Sequence, residues 1–266
     1  MCAICGCGDP HEHVHADGTR HSHAHENEHH HHDHIDLEAR VLAKNDALAE
    51  RNGQWLAERG LLALNLMGAP GCGKTTLLER TIRALGPRSL SVIEGDQATA
   101  NDAERIRAAG AAVIQVNTGT GCHLDAQMVA RSLEQLAPAP GSVVAIENVG
   151  NLVCPALFKL GEQRRVVVLS AAEGDDKPLK YPHMFRAADL VLINKVDLLA
   201  HVDFSVPQAI ANARAVNASV EIIEISARTG DGMEGWFGWL RKQLERLGDR
   251  RERRIQGPGH PLRVEG

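Results

Sequence analysis

Residues 61–76 read LLALNLMGAPGCGKTT, and this stretch decides the fold. The apolar run Leu61–Met67 has the length and character of a strand buried on both faces. It leads into Gly68-Ala69-Pro70-Gly71-Cys72-Gly73-Lys74-Thr75, which fits G-x-x-x-x-G-K-[ST]. Such a loop leaves a strand, wraps phosphate in successive backbone N–H groups and opens a helix whose N-terminus favours negative charge. Gly68, Gly71 and Gly73 let the backbone approach the phosphates without a Cβ in the way. Lys74 would reach the β- and γ-phosphates, the Thr75 hydroxyl would ligate Mg²⁺, and Thr76 completes the nucleotide-contacting set. Cys72 reads as a spacer in the loop with its side chain turned away. The helix predicted over Thr75–Leu85 ends at Gly86-Pro87.

Outward from that loop, short apolar runs alternate with helical patterns. Strands are predicted at Leu90–Glu94, Ala112–Asn117, Val143–Ile146, Val166–Ser170, Leu190–Ile193 and Val220–Ile225. Helices are predicted at Asn101–Ala109, Leu124–Leu136, Pro207–Val216 and Gly232–Leu247. This alternation implies an α/β fold of βαβ units around a mostly parallel central sheet. An amphipathic helix from Asp36 to Arg59, with a candidate break at Asn52-Gly53, precedes it. The division expected is therefore 1–35, a Cys/His-rich metal-binding tail; 36–248, a nucleotide-binding domain with an N-terminal helix; and 249–266, a charged C-terminal tail.

Residues 1–35 have almost no large apolar side chains, so they are expected to be disordered until something binds them. The chain starts with Met1-Cys2-Ala3-Ile4-Cys5-Gly6-Cys7. Thiolates select soft or borderline metals, and three of them with an amine or a His would suit four-coordinate nickel or zinc. Eleven of the 15 histidines then fall within the first 34 residues, interleaved with Glu, Asp and Ala. Many flexible imidazoles give metal capacity rather than one defined geometry.

The bulk properties exclude other classes. A net charge of −5 and a pI near 6.3 give no nucleic-acid footprint. No apolar run reaches the roughly 18 residues of a membrane span, and no secretory segment opens the chain. Six cysteines in that setting read as reduced, cytoplasmic thiols.

Asn194-Lys195-Val196-Asp197 follows the strand at Leu190–Ile193. The Asp197 carboxylate would accept both N1–H and N2–H₂ of guanine, a donor pair that adenine lacks. Lys195 would lie along the base and Asn194 would tie the loops together. Ser226, Ala227 and Arg228, opening Ser226-Ala227-Arg228-Thr229-Gly230, would offer a backbone N–H to guanine O6. The nucleotide is therefore read as GTP. Glu147-Asn148-Val149-Gly150 supplies a carboxylate for Mg²⁺ and a Gly150 N–H for the γ-phosphate, but Asn151 stands where many GTPases have a water-orienting Gln. Asp96 is a second candidate for Mg²⁺ or for positioning water. Lys74, Asp96 and Glu147 are thus the candidate catalytic groups. Cys122, His123 and Cys154 are candidate ligands for a second transition metal, close to the segment that senses the γ-phosphate. Three ligands per subunit would suit sharing across a dimer.

With CxxCGC, the His tract, GAPGCGKTT, EGD, GTGCHLD, ENVGNLVCP, EGDDKPLKYPHMF, NKVD and SARTG, nearly the whole chain resembles the HypB family of hydrogenase maturation GTPases, in the SIMIBI class of P-loop GTPases. Ala69 and Cys72 depart from the Ser residues expected in that family's loop. The resemblance implies GTP hydrolysis to GDP and phosphate, and nickel delivery to the large subunit of nickel–iron hydrogenase. With no water-orienting Gln after Gly150 and no assignable arginine finger, unassisted turnover is expected to be slow. It implies a tight nickel site at Cys2, Cys5 and Cys7, and a weaker one at Cys122, His123 and Cys154 that would take nickel or zinc. It further implies a homodimer promoted by GTP and metal, hydrogenase maturation partner proteins, and a place near the nucleotide and dimer interface for Gly174–Tyr181. Two rivals stay open: a nickel store with an idle nucleotide domain, and the same machine serving another enzyme such as urease.

Overall fold

The computed structural model describes residues 13–14, 20–21, 28–86, 88–96, 101–119, 121 and 123–256. Two short strands, β1 (His13–Val14) and β2 (Arg20–His21), pair antiparallel. Helix α1 (Glu28–Glu58) leads into a seven-stranded sheet. In chain order the sheet and its helices are β3 (Leu62–Met67), α2 (Lys74–Leu85), β4 (Leu90–Asp96), α3 (Asn101–Ala109), β5 (Ala112–Asn117), α4 (Ala126–Leu136) and β6 (Val143–Glu147). There follow α5 (Cys154–Leu157), β7 (Arg164–Ser170), α6 (Lys177–Lys180), α7 (Pro182–Arg186), β8 (Leu190–Asn194), a 3₁₀ turn at Val196–His201, α8 (Val206–Val216), β9 (Glu221–Glu224) and α9 (Met233–Gln256).

All six pairings in the sheet are parallel, in the order β5-β4-β6-β3-β7-β8-β9. Parallel strands need helical crossovers, so both sheet faces are covered and the strands read as unbroken apolar runs. β3 is buried along its whole length. Its alternate residues go to opposite layers: Leu62, Leu64 and Leu66 pack toward α2 and α9, whereas Ala63 faces the layer of Leu56, Val129 and Leu133. With few aromatic residues the core is mainly aliphatic, but α9 plugs onto it with Trp236 and Trp239 stacked 5.6 Å apart. The Trp236 indole N–H donates to Thr81 Oγ1 of α2 at 2.9 Å.

Most element boundaries lie within two residues of the sequence expectation, and two differ by more. α1 starts at Glu28 rather than Asp36 and runs unbroken through Asn52-Gly53. Here the Asn-Gly pair is a packing device. The buried Asn52 side chain donates to Ala126 O at 2.8 Å and Leu160 O at 3.0 Å. A Cβ on Gly161, itself at φ +98°, would come within 2.7 Å of Gly53 N, so the two segments meet backbone to backbone. At the other end α9 continues to Gln256, past the predicted stop at Leu247. The three short helices α5, α6 and α7 were not predicted. Each has proline at one of its first two positions and lasts only about one turn, so no periodicity betrays it. Among the described residues, no helix is long and apolar enough to cross a membrane.

Candidate functional site: the nucleotide cleft

β3 is the strand at which the winding reverses. The chain first builds β4, β5 and β6 on one side of β3 and then β7, β8 and β9 on the other. Ligands of open parallel sheets bind beyond the carboxyl ends of strands at such a point. There a cleft of about 520 Å³ opens, lined by Gly71, Gly73, Lys74, Thr75, Thr76, Glu94, Asp96, Asp102, Arg105, Glu147 and Gly150, among others.

The loop after β3 has the backbone that its glycines allow. Gly71 and Gly73 adopt φ +71° and +104°. At Gly73 a Cβ would also lie 2.4 Å from Asn194 Nδ2. Gly68 bridges antiparallel to Asn151, and a Cβ on Gly150 would lie 2.9 Å from three atoms of Pro70. The segment expected to sense the γ-phosphate therefore rests directly on the phosphate loop. Cys72 is buried beneath the loop, where burial pushes its thiol pKa up. Lys74 Nζ folds back onto Gly68 O and Ala69 O at 3.4 and 3.3 Å.

Thr75 and Glu147 come together: the Thr75 hydroxyl donates to Glu147 Oε1 at 2.8 Å. Glu147 Oε2 is buried with no hydrogen-bond partner among the described residues. Burial raises the Glu147 carboxyl to a pKa of about 7, against the pull of Lys74 and the Thr75 hydrogen bond. A hydroxyl and a carboxylate with an open oxygen form the hard oxygen set that Mg²⁺ takes. Asp96, at the end of β4, lines the same cleft.

The residues expected to read the base interlock. Asn194 donates to Cys72 O at 2.8 Å and accepts from Ala227 N–H at 3.0 Å, joining the phosphate loop to the loop after β9. Lys195, in a left-handed conformation at φ +64°, donates to Gly71 O at 2.7 Å. Ser226 Oγ donates to Asp197 Oδ1 at 2.6 Å. Arg80 of α2 donates to the carbonyls of Ala227 and Arg228.

Four residues on this site escaped the sequence reading: Glu94, Asp102, Arg105 and Arg80. Arg105 bonds Thr76 Oγ1 at 3.1 Å, Glu79 at 2.8 Å and Asp102 at 3.0 Å, clamping α3 to the start of α2. No short motif marks these residues. The one usable signal is Glu94 itself, a carboxylate ending the otherwise apolar run of β4.

Of the transition-metal candidates, Cys2, Cys5, Cys7 and Cys122 lie outside the described residues. Cys154 is buried at the first position of α5, whose backbone N–H the Asn151 side chain accepts at 3.3 Å. His123 stacks on Phe158, with ring centroids 3.9 Å apart, and burial lowers its pKa. Among the described residues, no group of three metal-ligating side chains is assembled. A larger groove of about 1230 Å³ runs between α1 and the Lys159–Arg165 region, and none of the nucleotide motifs lines it.

The model of the CobW/HypB/UreG nucleotide-binding domain matches residues 62–224. HypB from Rhizobium leguminosarum is 58% identical over 207 residues, covering 77% of this chain and 69% of its own length. The chain belongs to the HypB family. The HypB crystal structure from Archaeoglobus fulgidus superposes with a TM-score of 0.72 at 44% identity, covering 76% of this chain and all of the other. The crystal structure of HypB from Helicobacter pylori in complex with nickel superposes at 0.71 and 36% identity, covering 76% of this chain and 96% of that one. HypB proteins are hydrogenase maturation factors of the P-loop GTPase class, and the nucleotide-binding domain matched here spans the phosphate loop and the parallel strands from β3 to β9.

Proposed function

We propose that this HypB chain is a GTP-hydrolysing nickel metallochaperone that binds and stores nickel and assists its insertion into the large subunit of nickel–iron hydrogenase. It works in the cytoplasm as a homodimer promoted by GTP and metal, with other hydrogenase maturation proteins as partners. The observation that carries this reading is the convergence of the phosphate loop, the Thr75–Glu147 pair and the Asn194–Asp197 loop at one sheet edge, in a chain of the hydrogenase maturation family. A nickel complex of the H. pylori relative supports the choice of metal.

In this reading Lys74 and the loop N–H groups hold the phosphates, while Thr75 and Glu147, with Asp96 near them, hold Mg²⁺. When bound, the ion neutralises charge developing on the β- and γ-oxygens. Asp197, Lys195, Ser226, Ala227 and Arg228 select and seat guanine. Unassisted turnover is slow, because Asn151 is occupied in accepting from Val153 and Cys154 N–H and orients no water. Cys2, Cys5 and Cys7 hold the tightest nickel, the histidines add capacity, and Cys122, His123 and Cys154 hold a weaker nickel or zinc ion.

The test is to measure GTP turnover and nickel binding on the full chain. Turnover of about 10⁻⁴–10⁻² s⁻¹ is expected, as for P-loop GTPases without a helper arginine. Lys74→Ala should abolish it and leave nickel stoichiometry intact. Replacing Cys2, Cys5 and Cys7 by Ala should remove the tightest nickel, whereas deleting 11–34 should lower only the number bound. Nickel binding without any GTP turnover would reduce the chain to a store and overturn the reading.

A further inference from the structure

Glu94 has no part in the motifs that define the nucleotide site, yet it lies in the cleft and is 98% buried, at 2% exposure. It ends the apolar part of β4, in register with Glu147 on the neighbouring strand β6. Register partners on adjacent parallel strands point to the same sheet face about 4.8 Å apart. Two carboxylates thus stand side by side, and Glu147 is also buried, at 4% exposure.

Each keeps one oxygen, Glu94 Oε2 and Glu147 Oε2, with no hydrogen-bond partner among the described residues. Buried polar atoms without partners are uncommon in folded proteins, and paired like charges make the arrangement dearer still. The two cationic side chains lining the cleft turn elsewhere. Lys74 bonds the carbonyls of Gly68 and Ala69, and Arg105 is engaged by Glu79 and Asp102. The pair therefore calls for positive charge from solution.

The sheet order β4-β6-β3 sets Glu94 one strand further from the phosphate loop than Glu147, the acid that touches Thr75. Mg²⁺ dehydrates reluctantly and keeps several of its waters in protein sites. A carboxylate one strand beyond an inner ligand is suited to those waters rather than to the ion. We propose that Glu94 is an outer-shell carboxylate of the nucleotide's Mg²⁺, accepting hydrogen bonds from water on the ion that Thr75 and Glu147 hold. The proposal rests on the Mg²⁺–GTP reading of the cleft and adds to it the residue that completes the ion's surroundings.

The experiment uses the full chain, a fluorescent non-hydrolysable GTP analogue, and Mg²⁺ titrated from EDTA. Hard Mg²⁺ leaves the thiols and imidazoles of the N-terminal stretch aside. The readout is the Mg²⁺ concentration that half-restores analogue affinity. Glu94→Gln should raise that midpoint by roughly 10–100-fold, the usual cost of losing an outer-shell partner. In EDTA the same variant should bind the analogue as tightly as the parent or tighter, because position 94 no longer carries a carboxyl that can ionise beside the phosphates. Damage to the fold would weaken both measurements, so the opposed signs identify the role. A midpoint within twofold of the parent overturns the proposal. If Glu147→Gln raises the midpoint while Glu94→Gln does not, the Mg²⁺ reading survives and only the role of Glu94 falls. If Mg²⁺ has no effect on analogue affinity in the parent, both fall together.

Discussion

The phosphate-side cleft and the loops proposed to read the base both lie at the carboxyl ends of the sheet's strands and are built on opposite principles. On the base side every key polar group is already paired: Asn194 with Cys72 O and Ala227 N–H, Lys195 with Gly71 O, Asp197 with Ser226. On the phosphate side Glu94 and Glu147 are buried together with open oxygens. The base side is a hydrogen-bonded frame, and in the proposed reading its selectivity comes from groups already held in place. The phosphate side is electrostatically incomplete, and the proposed reading makes it the half that responds to a cation and to the charge of the nucleotide.

The largest test falls on the rigid half. Asp197→Asn should lower kcat/KM for GTP by roughly 10⁴-fold, since a site built around a hydrogen bond rejects a partner that lacks it by about 10⁴–10⁵. Xanthosine triphosphate, with its altered donor pattern, should become the better substrate. GTP turnover at the parent rate would show that the frame reads something other than guanine.

That half was also the more legible one. Asn194, Lys195 and Asp197 fall within four positions, and Ser226, 29 positions on, opens a short motif of its own after a recognisable strand, so local sequence marks each part. Glu94 and Glu147 are 53 positions apart, and only the parallel register of β4 with β6 sets them side by side. Arg80 and Arg105 read as ordinary helix-surface arginines until α2 and α3 are placed against the loops they hold. The strands of the core were readable because burial on both faces demands unbroken apolar runs. The extension of α1 to Glu28 was not, because a His-rich stretch has no apolar stripe to announce a helix.

A second test asks whether the incomplete half transmits its state. Gly150 packs on Pro70, and four residues later Cys154 opens α5. A segment ordered by the γ-phosphate would carry that thiol with it. Nickel affinity at the Cys122–His123–Cys154 site should then differ between GDP and a GTP analogue by about 5–150-fold, the usual range of allosteric coupling. Measured on a chain whose Cys2, Cys5 and Cys7 are Ala, Cys154→Ala should erase that difference. Equal nickel affinities in both nucleotide states would confine the responsiveness to the cleft.

The third test severs a link between the two proposed metal regions. The Asn148 side chain accepts from Leu124 N–H at 3.2 Å and donates to Asn65 Oδ1 at 3.3 Å, joining the residue after His123 to the strand end of Glu147. Asn148→Ala leaves those buried groups unpaired and should destabilise the fold by about 1–3 kcal/mol in chemical denaturation. No measurable loss would mean that the link is incidental.

The last test is a pH slope, and it reports the incomplete half directly. Burial, and then the neighbouring Glu147 and Asp96 charges, raise the Glu94 carboxyl from 4.5 to about 8, while burial raises Glu147 to about 7. The folded chain therefore binds more protons than the unfolded chain between about pH 4.5 and 8. Unfolding stability falls with rising pH wherever the native state holds the extra protons. In EDTA, without nucleotide, the parent should lose stability steadily across that window, by at most about 1.4 kcal/mol per pH unit for each group. Glu94→Gln removes one of the two contributions, so its curve should be shallower and the variant should be the more stable protein at pH 8. Imidazoles of the N-terminal stretch titrate in the same window but are common to both chains and cancel in the difference. Saturating Mg²⁺ and GTP analogue should flatten the parent curve, since the bound cation favours the ionised carboxylates. Parallel parent and variant curves in EDTA would mean that Glu94 is ionised without strain, and the contrast between the two halves of the cleft would lose its electrostatic basis.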